Sequence, residues 1–372
     1  MDVFHKTIIG YSHILENKAC QDFSLSYKDD TMSVAIVSDG HGGEPYFRSN
    51  RGSKIACECA LNMICKFVSN VEDSIFKEKP FTQASFLNLS ANGIKMSETD
   101  LAMRQLLSSI IYHWGIRIEE DYKNSEITQW ERENVPDETL QAFKESKTPE
   151  KAYGCTLMCY VQTKSYWFAF HIGDGKCVSL HESDPIWKEP IPWDDKCFLN
   201  KTTSLCETDS LNSFRYCYCG DGNVPLAVFL GSDGIDDTFG EGDSLAEFYI
   251  KLSKELICES KEYLLSDLER ALPELSQKGS KDDMSIACVY DPIRLKDSIK
   301  RLIQYQIDLV TKKQLDNKSK LESLKSEEIE LAANMQNLTE DMAICRRQIK
   351  KLEESNSLLE TEYQKLIKEL ES

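Results

Sequence analysis

Apolar residues gather in short runs along this chain, at 34–38, 155–162, 166–172, 226–232 and 284–290, each bounded by Gly, Asp or Ser. Runs of that length predict buried strands joined by turns. Elsewhere the spacing changes. Residues 50–70 place Ile55, Cys59, Met63 and Phe67 four apart, which aligns them on one face of a helix. Stretches 100–122 and 244–272 carry the same amphipathic pattern. Strand runs separated by such helices predict an α+β protein in which helices cover sheet faces. Residues 181–222, rich in Asp, Pro, Trp, Cys and Ser, keep no lasting period and predict an irregular flap. Long loops of this kind carry specificity when they border a site.

After Asp291-Pro292 the pattern changes again. From Leu321 a seven-residue register places Leu321, Glu328, Met335, Met342, Ile349, Asn356, Tyr363 and Leu370 at a positions. Its d positions are Leu324, Leu331, Leu338, Cys345, Leu352, Leu359 and Leu366. Leucine at all d positions but one predicts a coiled coil, and a lone Asn356 at a favours a parallel two-stranded register. A homodimer through 321–370 is therefore expected, in preference to a helix packed on its own domain or on another protein. Residues 293–320 keep helical composition without the clean register, the mark of a hinge or stutter. The expected division is a globular domain over 1–292 and a helical linker with coiled coil over 293–372.

A length of 372 residues with 41% hydrophobic content supports one large core plus such an appendage. The net charge of -18 argues against a nucleic-acid or anionic-membrane surface. No apolar run approaches membrane-spanning length and MDVFHKTIIGYSH lacks a signal-peptide core, so a cytoplasmic protein is expected, its fourteen cysteines kept as thiols.

Four acids sit where strand-like runs begin or end: Asp22 in CQDFSLSY, Asp39 in VAIVSDGHGG, Asp233 in AVFLGSDGIDD and Asp282 in GSKDDMSIACVY. Carboxylates suit hard divalent cations such as Mg2+ and Mn2+, and a following glycine lets the backbone come close to an ion. Any single Asp-Gly is ordinary turn chemistry. Order and context are what distinguish these.

The ordered segments Gln21-Asp22, Asp39-Gly40-His41-Gly42-Gly43, Gly173-Asp174-Gly175, Asp233-Gly234-Ile235-Asp236-Asp237 and Asp282-Asp283-Met284-Ser285 resemble the signature segments of the metal-dependent, type 2C protein phosphatases over about residues 1–292. The resemblance implies a four-layer α-β-β-α sandwich with two central, mostly antiparallel sheets. It implies hydrolysis of phosphoserine and phosphothreonine in proteins, with a metal-bridging hydroxide as nucleophile and two Mn2+ or Mg2+ ions. Asp39 would bridge the ions, with the Gly40 carbonyl on one. Asp233 and Asp282 would hold the other, Asp22 would serve the second directly or through water, and Asp174 with Asp237 would form a weaker third site. His41 would be the general acid, a role its ordinary pKa near 6.5 suits.

Two positions depart from the family pattern. An Arg that grips substrate phosphate is replaced by Asn17 in GYSHILENKACQD, leaving His13 and Lys18 as nearby candidates, and Asp283 stands where Asn is usual. Asp283 either strengthens metal binding or faces solvent. The expected partners are a phosphoprotein substrate and an opposing serine/threonine kinase. The alternative function is a weak or inactive phosphatase-like sensor that signals through its coil. The converging acids weigh against it, because they repel one another without metal.

Overall fold

A computed structural model describes residues 1–197 and 201–371, with the side chains of 90, 91, 362 and 364–371 left out. Among the described residues eleven strands form two sheets. They are β1 (Asp2–Ile8), β2 (Phe23–Lys28), β3 (Met32–Ser38), β4 (Thr82–Ser85), β5 (Leu157–Thr163), β6 (Trp167–Ile172), β7 (Lys176–Leu180), β8 (Trp187–Lys188), β9 (Arg215–Cys219), β10 (Ala227–Gly231) and β11 (Met284–Tyr290). One sheet has the order β1-β11-β10-β7-β8 and the other β2-β3-β5-β6-β9-β4. Neighbours pair antiparallel throughout.

The period-2 geometry of a strand sends alternate side chains to opposite faces. Ala35, Val37, Met158, Tyr160, Val228, Leu230, Ala287 and Val289 thus meet between the sheets. The intervening positions Val34, Ile36, Cys159 and Val161 pack outward against helices Ser49–Asn70 and Glu98–Asn124. Phe229, Ile286 and Cys288 pack outward with residues of Asp243–Cys258 and Lys261–Lys278. Both faces of the central strands are covered, which is why they read as unbroken apolar runs. The architecture is the four-layer α-β-β-α sandwich.

Two expectations need revision. The helix predicted over 244–272 is two helices, because the chain turns at Glu259 and the Ser260 side chain caps the second by accepting from the Tyr263 amide. Segment 181–222 is not wholly irregular: β9, RYCYC, is buried inside the six-stranded sheet between β6 and β4. Its Cys and Tyr residues fill both faces, so no alternation was visible. Segment 293–320, expected as a hinge or stutter, falls within the helix Pro292–Glu371.

The molecule divides into two compact units, Met1–Tyr305 and Gln306–Ser372. The first continues past the last strand because Leu295 and Leu302, fully buried, join the core with Ile299 and Tyr305 packed against it. In the second, Leu321, Leu324, Leu331, Met335, Leu338, Met342, Ile349, Leu352, Leu359 and Tyr363 of the a and d positions are each more than half exposed. The Leu366 and Leu370 side chains lie outside the described residues. Among the described residues no helix is long and apolar enough to cross a membrane. All fourteen cysteines are free.

Candidate metal centre

Strand register brings the candidate acids to one end of the sandwich. Phe23, which begins β2, lies opposite Ser38, which ends β3. Val37 faces Met158, and Leu157 faces Ile172. Asp22, Asp39 and Asp174 therefore leave the six-stranded sheet at the same end. In the other sheet Gly231 lies opposite both Ile286 and Lys176, so Asp233 follows β10 where Asp282 precedes β11. Carboxylate oxygens of Asp39, Asp174 and Asp233 come within 4.8 Å of one another.

Tight backbone contacts hold two of these turns. A Cβ on Gly40 would meet the Gln21 carbonyl oxygen at 2.5 Å, and one on Gly234 would meet the Asp283 carbonyl oxygen at 2.1 Å. Glycine is required by contact at both sites, which explains the Asp-Gly pairs. The Asp39 turn is also fixed by its own amide, which donates to Thr156 Oγ1 at 2.9 Å, and by its carbonyl, which accepts from the Thr156 amide at 2.8 Å.

Asp22 is buried and Asp39, Asp174 and Asp233 are half-buried, none of them with a counter-charge. Burial, then neighbouring carboxylates, pushes the pKa of Asp39 and Asp233 well above the ordinary carboxylate range, and burial raises Asp174 as well. Asp22, 5% exposed, is raised by burial and then by Asp283. Among the described residues no Lys, Arg or His is ion-paired with Asp39, Asp174 or Asp233. Asp22 Oδ2 and Asp174 Oδ1 are buried with no hydrogen-bond partner. Unneutralised carboxylates with orphaned oxygens form an all-oxygen donor set that fits hard divalent cations.

Asp282 stands slightly apart, exposed and close to His13 and Asp283. Asp283 itself neither faces solvent nor points free toward an ion. It is 2% exposed and accepts from four donors: the Gly10 amide at 2.6 Å, His13 Nδ1 at 2.9 Å, the Gln21 amide at 2.5 Å and the Asp22 amide at 3.3 Å. Burial alone would raise its pKa, but His13 and these amides outweigh burial and hold it below the ordinary value. The carboxylate clamps the N-terminal loop that carries Asp22.

A cavity of about 920 Å³ opens over the acids, lined in part by Asp39, Gly40, Asp174, Asp233, Asp237 and Asp282. His41 also lines it. Its amide donates to the Gly154 carbonyl at 3.1 Å and its ring meets Tyr46 edge-on at 4.9 Å. Burial pushes its pKa down to about 4, so the imidazole is neutral at pH 7 and the ordinary value assumed from sequence does not apply. His13 and Lys18 reach the cavity, the first bonded to Asp283 and the second paired with Glu16 at 2.5 Å.

Sequence reasoning missed three contributors. Lys196 and Lys201, from the segment expected to form a flap, line the same cavity with Thr202, Thr203 and Ser204. Arg215, buried in β9, donates to the Gly173 carbonyl at 2.6 Å and to His171 Nδ1 at 3.2 Å, bracing the turn that carries Asp174. The Gly173 amide in turn donates to Thr203 Oγ1 at 3.0 Å. Two lysines in a mixed-charge stretch and an Arg inside an apolar run carry no local signal of convergence.

A family model described as protein phosphatase 2C matches residues 9–273. No curated protein sequence matches the chain. Among solved structures, a bacterial serine phosphatase shares 15% identity and a TM-score of 0.44, covering 78% of this chain and 99% of its own. PppA of Pseudomonas aeruginosa, described as a key regulatory component of T6SS, shares 14% identity at a TM-score of 0.44 over 78% of this chain and 96% of its own. A sex determining protein of C. elegans shares 14% identity at a TM-score of 0.47 over 80% of this chain and 67% of its own. The family match spans well over half of the sequence, from the N-terminal loop into helix Lys261–Lys278, and on that ground the chain belongs to the protein phosphatase 2C family.

Proposed function

We propose that the chain is a phosphoserine/phosphothreonine protein phosphatase dependent on Mn2+ or Mg2+. The observation that carries this reading is the convergence of Asp39, Asp174 and Asp233 within 4.8 Å, half-buried and without counter-charge, under an open cavity. Asp39, the Gly40 carbonyl, Asp233, Asp282 and Asp22 would hold two ions, and Asp174 with Asp237 would serve a weaker third. Such ions, when bound, supply an activated water and neutralise phosphate charge.

The chain's own residues do the rest. Lys18, Lys196, Lys201 and His13 are the cationic and hydrogen-bonding groups that face a phosphate in this cavity, in place of a bidentate Arg. His41 is the proton donor to the leaving serine or threonine oxygen. Because it is neutral at pH 7, it takes up that proton only when the anionic phosphate lies beside it and raises its pKa. The walls formed by Thr202, Thr203, Ser204 and Cys206 limit access to the reacting centre.

The C-terminal helix is a parallel dimerisation coil in this reading. Its exposed a and d stripe costs solvation in a single copy, and a second copy removes it from water. A phosphatase-like sensor without turnover is the competing function, and the same acids would serve it as a metal-responsive switch.

Hydrolysis of a small aryl phosphate by the full chain, with Mn2+, with Mg2+ and with EDTA, decides between them. Metal-dependent turnover is expected, lost by at least about a hundredfold in Asp39→Asn and Asp233→Asn. Calorimetric metal binding without turnover in any condition would favour the sensor.

A further inference from the structure

A second cavity, of about 670 Å³, adjoins the acidic cleft at Tyr46, Cys206 and Glu207, which line both. One wall is a face of helix Glu98–Asn124, where Tyr112, Gly115 and Glu119 recur three and four residues apart. Tyr46 belongs to both spaces. On the cleft side its ring meets His41 edge-on at 4.9 Å, and burial, then Cys206 and Glu207 beside it, raise the pKa of its phenol. None of the residues expected to bind metal lines this cavity.

Two features of the helix wall point outward. Gly115 stands inside a 27-residue helix, where glycine weakens the interior more than any residue but proline. A Cβ there would meet nothing within 4 Å, so among the described residues no neighbour requires the missing side chain. Tyr112, one turn earlier on the same wall, is 66% exposed, an aromatic ring left in water. The lining charges do not cancel either. Glu119 is paired with Lys123 at 2.7 Å, and of the remaining lining residues Glu150 and Glu207 outnumber Lys151. Lys196, whose charge reaches Glu207, lines the cleft and not this cavity.

An excess negative charge beside two tyrosine rings, with open space over a glycine, matches a cation carried on a long apolar stem. Arginine is that side chain, because its guanidinium forks onto a carboxylate and stacks on aromatic faces. We propose that this cavity receives the side chain of an arginine flanking the phosphorylated residue of a protein substrate, a reading that rests on the phosphatase function proposed above. The guanidinium pairs with Glu207 and lies against Tyr46, and the peptide beyond it runs over Gly115 past Tyr112. The shared edge gives the reason for a flanking residue. Tyr46 and Glu207 also border the cleft, so an arginine held by them is a near neighbour in sequence of a residue whose phosphate lies over the acids. A leucine leaves the charge unbalanced, and a glutamate adds to it.

The test uses the full chain with Mn2+ and phosphoserine peptides in which each flanking position is scanned with Arg, Leu and Glu, an aryl phosphate being run alongside. At one position Arg is expected to exceed Leu in kcat/KM by on the order of tenfold, the size of one partly exposed ion pair and one cation–π contact, with Glu lower still. Glu207→Gln, which keeps the shape and removes the charge, is expected to shrink the Arg-to-Leu ratio toward one. Gly115→Leu fills the open space from a position where the fold has room. It is expected to abolish the Arg preference while leaving aryl phosphate turnover and the thermal transition as in the parent. Equal rates for Arg and Leu at every position, or an Arg preference that Glu207→Gln leaves intact, overturn the proposal. Absence of aryl phosphate turnover in the parent would instead be a failure of the phosphatase reading. Fluorescence anisotropy of the same labelled peptides with Mn2+ then decides the cavity's role without turnover: tighter binding of the Arg peptide that Gly115→Leu abolishes supports it, and equal or absent binding of all three overturns it.

Discussion

Asp283 shows how much one side chain decides that its neighbours in sequence do not reveal. Its two oxygens accept from Gly10, His13, Gln21 and Asp22, so four donors converge on one buried carboxylate. Asparagine at this position turns one acceptor into a donor that faces another donor. Asp283→Asn is expected to cost about 1–3 kcal/mol of stability by denaturant titration, because a buried donor is left unsatisfied. It should also weaken metal affinity in calorimetry, since the clamped loop carries Asp22. Unchanged stability and unchanged metal affinity together would remove Asp283 from this role. The acids beside it were legible in the sequence because Asp-Gly turns at strand ends are local features. The clamp was not, because its donors lie some 260 to 270 positions away along the chain.

Among the elements, the helix after the Asp39 turn is anchored by charge. Arg48, 1% exposed, makes a fork to Glu131 at 2.6 and 3.1 Å and donates to Tyr153 Oη at 3.0 Å. Glu131 also closes the capping box of helix Gln129–Asn134 with Thr128. Burial opposes its ionisation, but Arg48 and the Thr128 amide hold its pKa below 4.5, and Asp121 beside them is likewise held below 3.8. Carboxylates lowered in the folded state contribute stability that is complete above about pH 4.5 and is lost as pH falls through their folded values. Glu131→Gln is therefore expected to destabilise the protein by about 3 kcal/mol at pH 7, since it strands a buried guanidinium, and to flatten the fall in Tm between about pH 5 and 3. A Tm profile parallel to the parent's would contradict this. At this scale the sequence located β3, β5, β6, β10 and β11 to within two residues at their ends, because buried strands read as apolar runs. It missed β9 and split no helix at Glu259, because sheet neighbours and a serine cap, rather than the hydrophobic period, determine those boundaries.

At the scale of the whole molecule, the two compact units predict different truncations. Removing 306–372 leaves the compact unit Met1–Tyr305 with its buried Leu295 and Leu302, and its thermal transition should be preserved. Ending the chain at Pro292 deletes the buried Leu295 and Leu302 and is expected to cost about 5 kcal/mol or more. A parallel in-register dimer sets the exposed Cys345 at a d position opposite its copy. Mild oxidation of the full chain should then yield a disulfide-linked dimer that persists in Cys258→Ser and disappears in Cys345→Ser, as seen on non-reducing gels. A monomer in sedimentation at micromolar concentration would exclude this arrangement. By itself the sequence determined the heptad stripe, the apolar strand runs and the order of the acidic turns, all of which depend on spacing along the backbone. Only the tertiary structure decided that Asp39, Asp174 and Asp233 share one site and that Asp283 is a clamp. Those are distances between strand ends and loops far apart in the chain, and sheet pairing rather than local pattern brings them together.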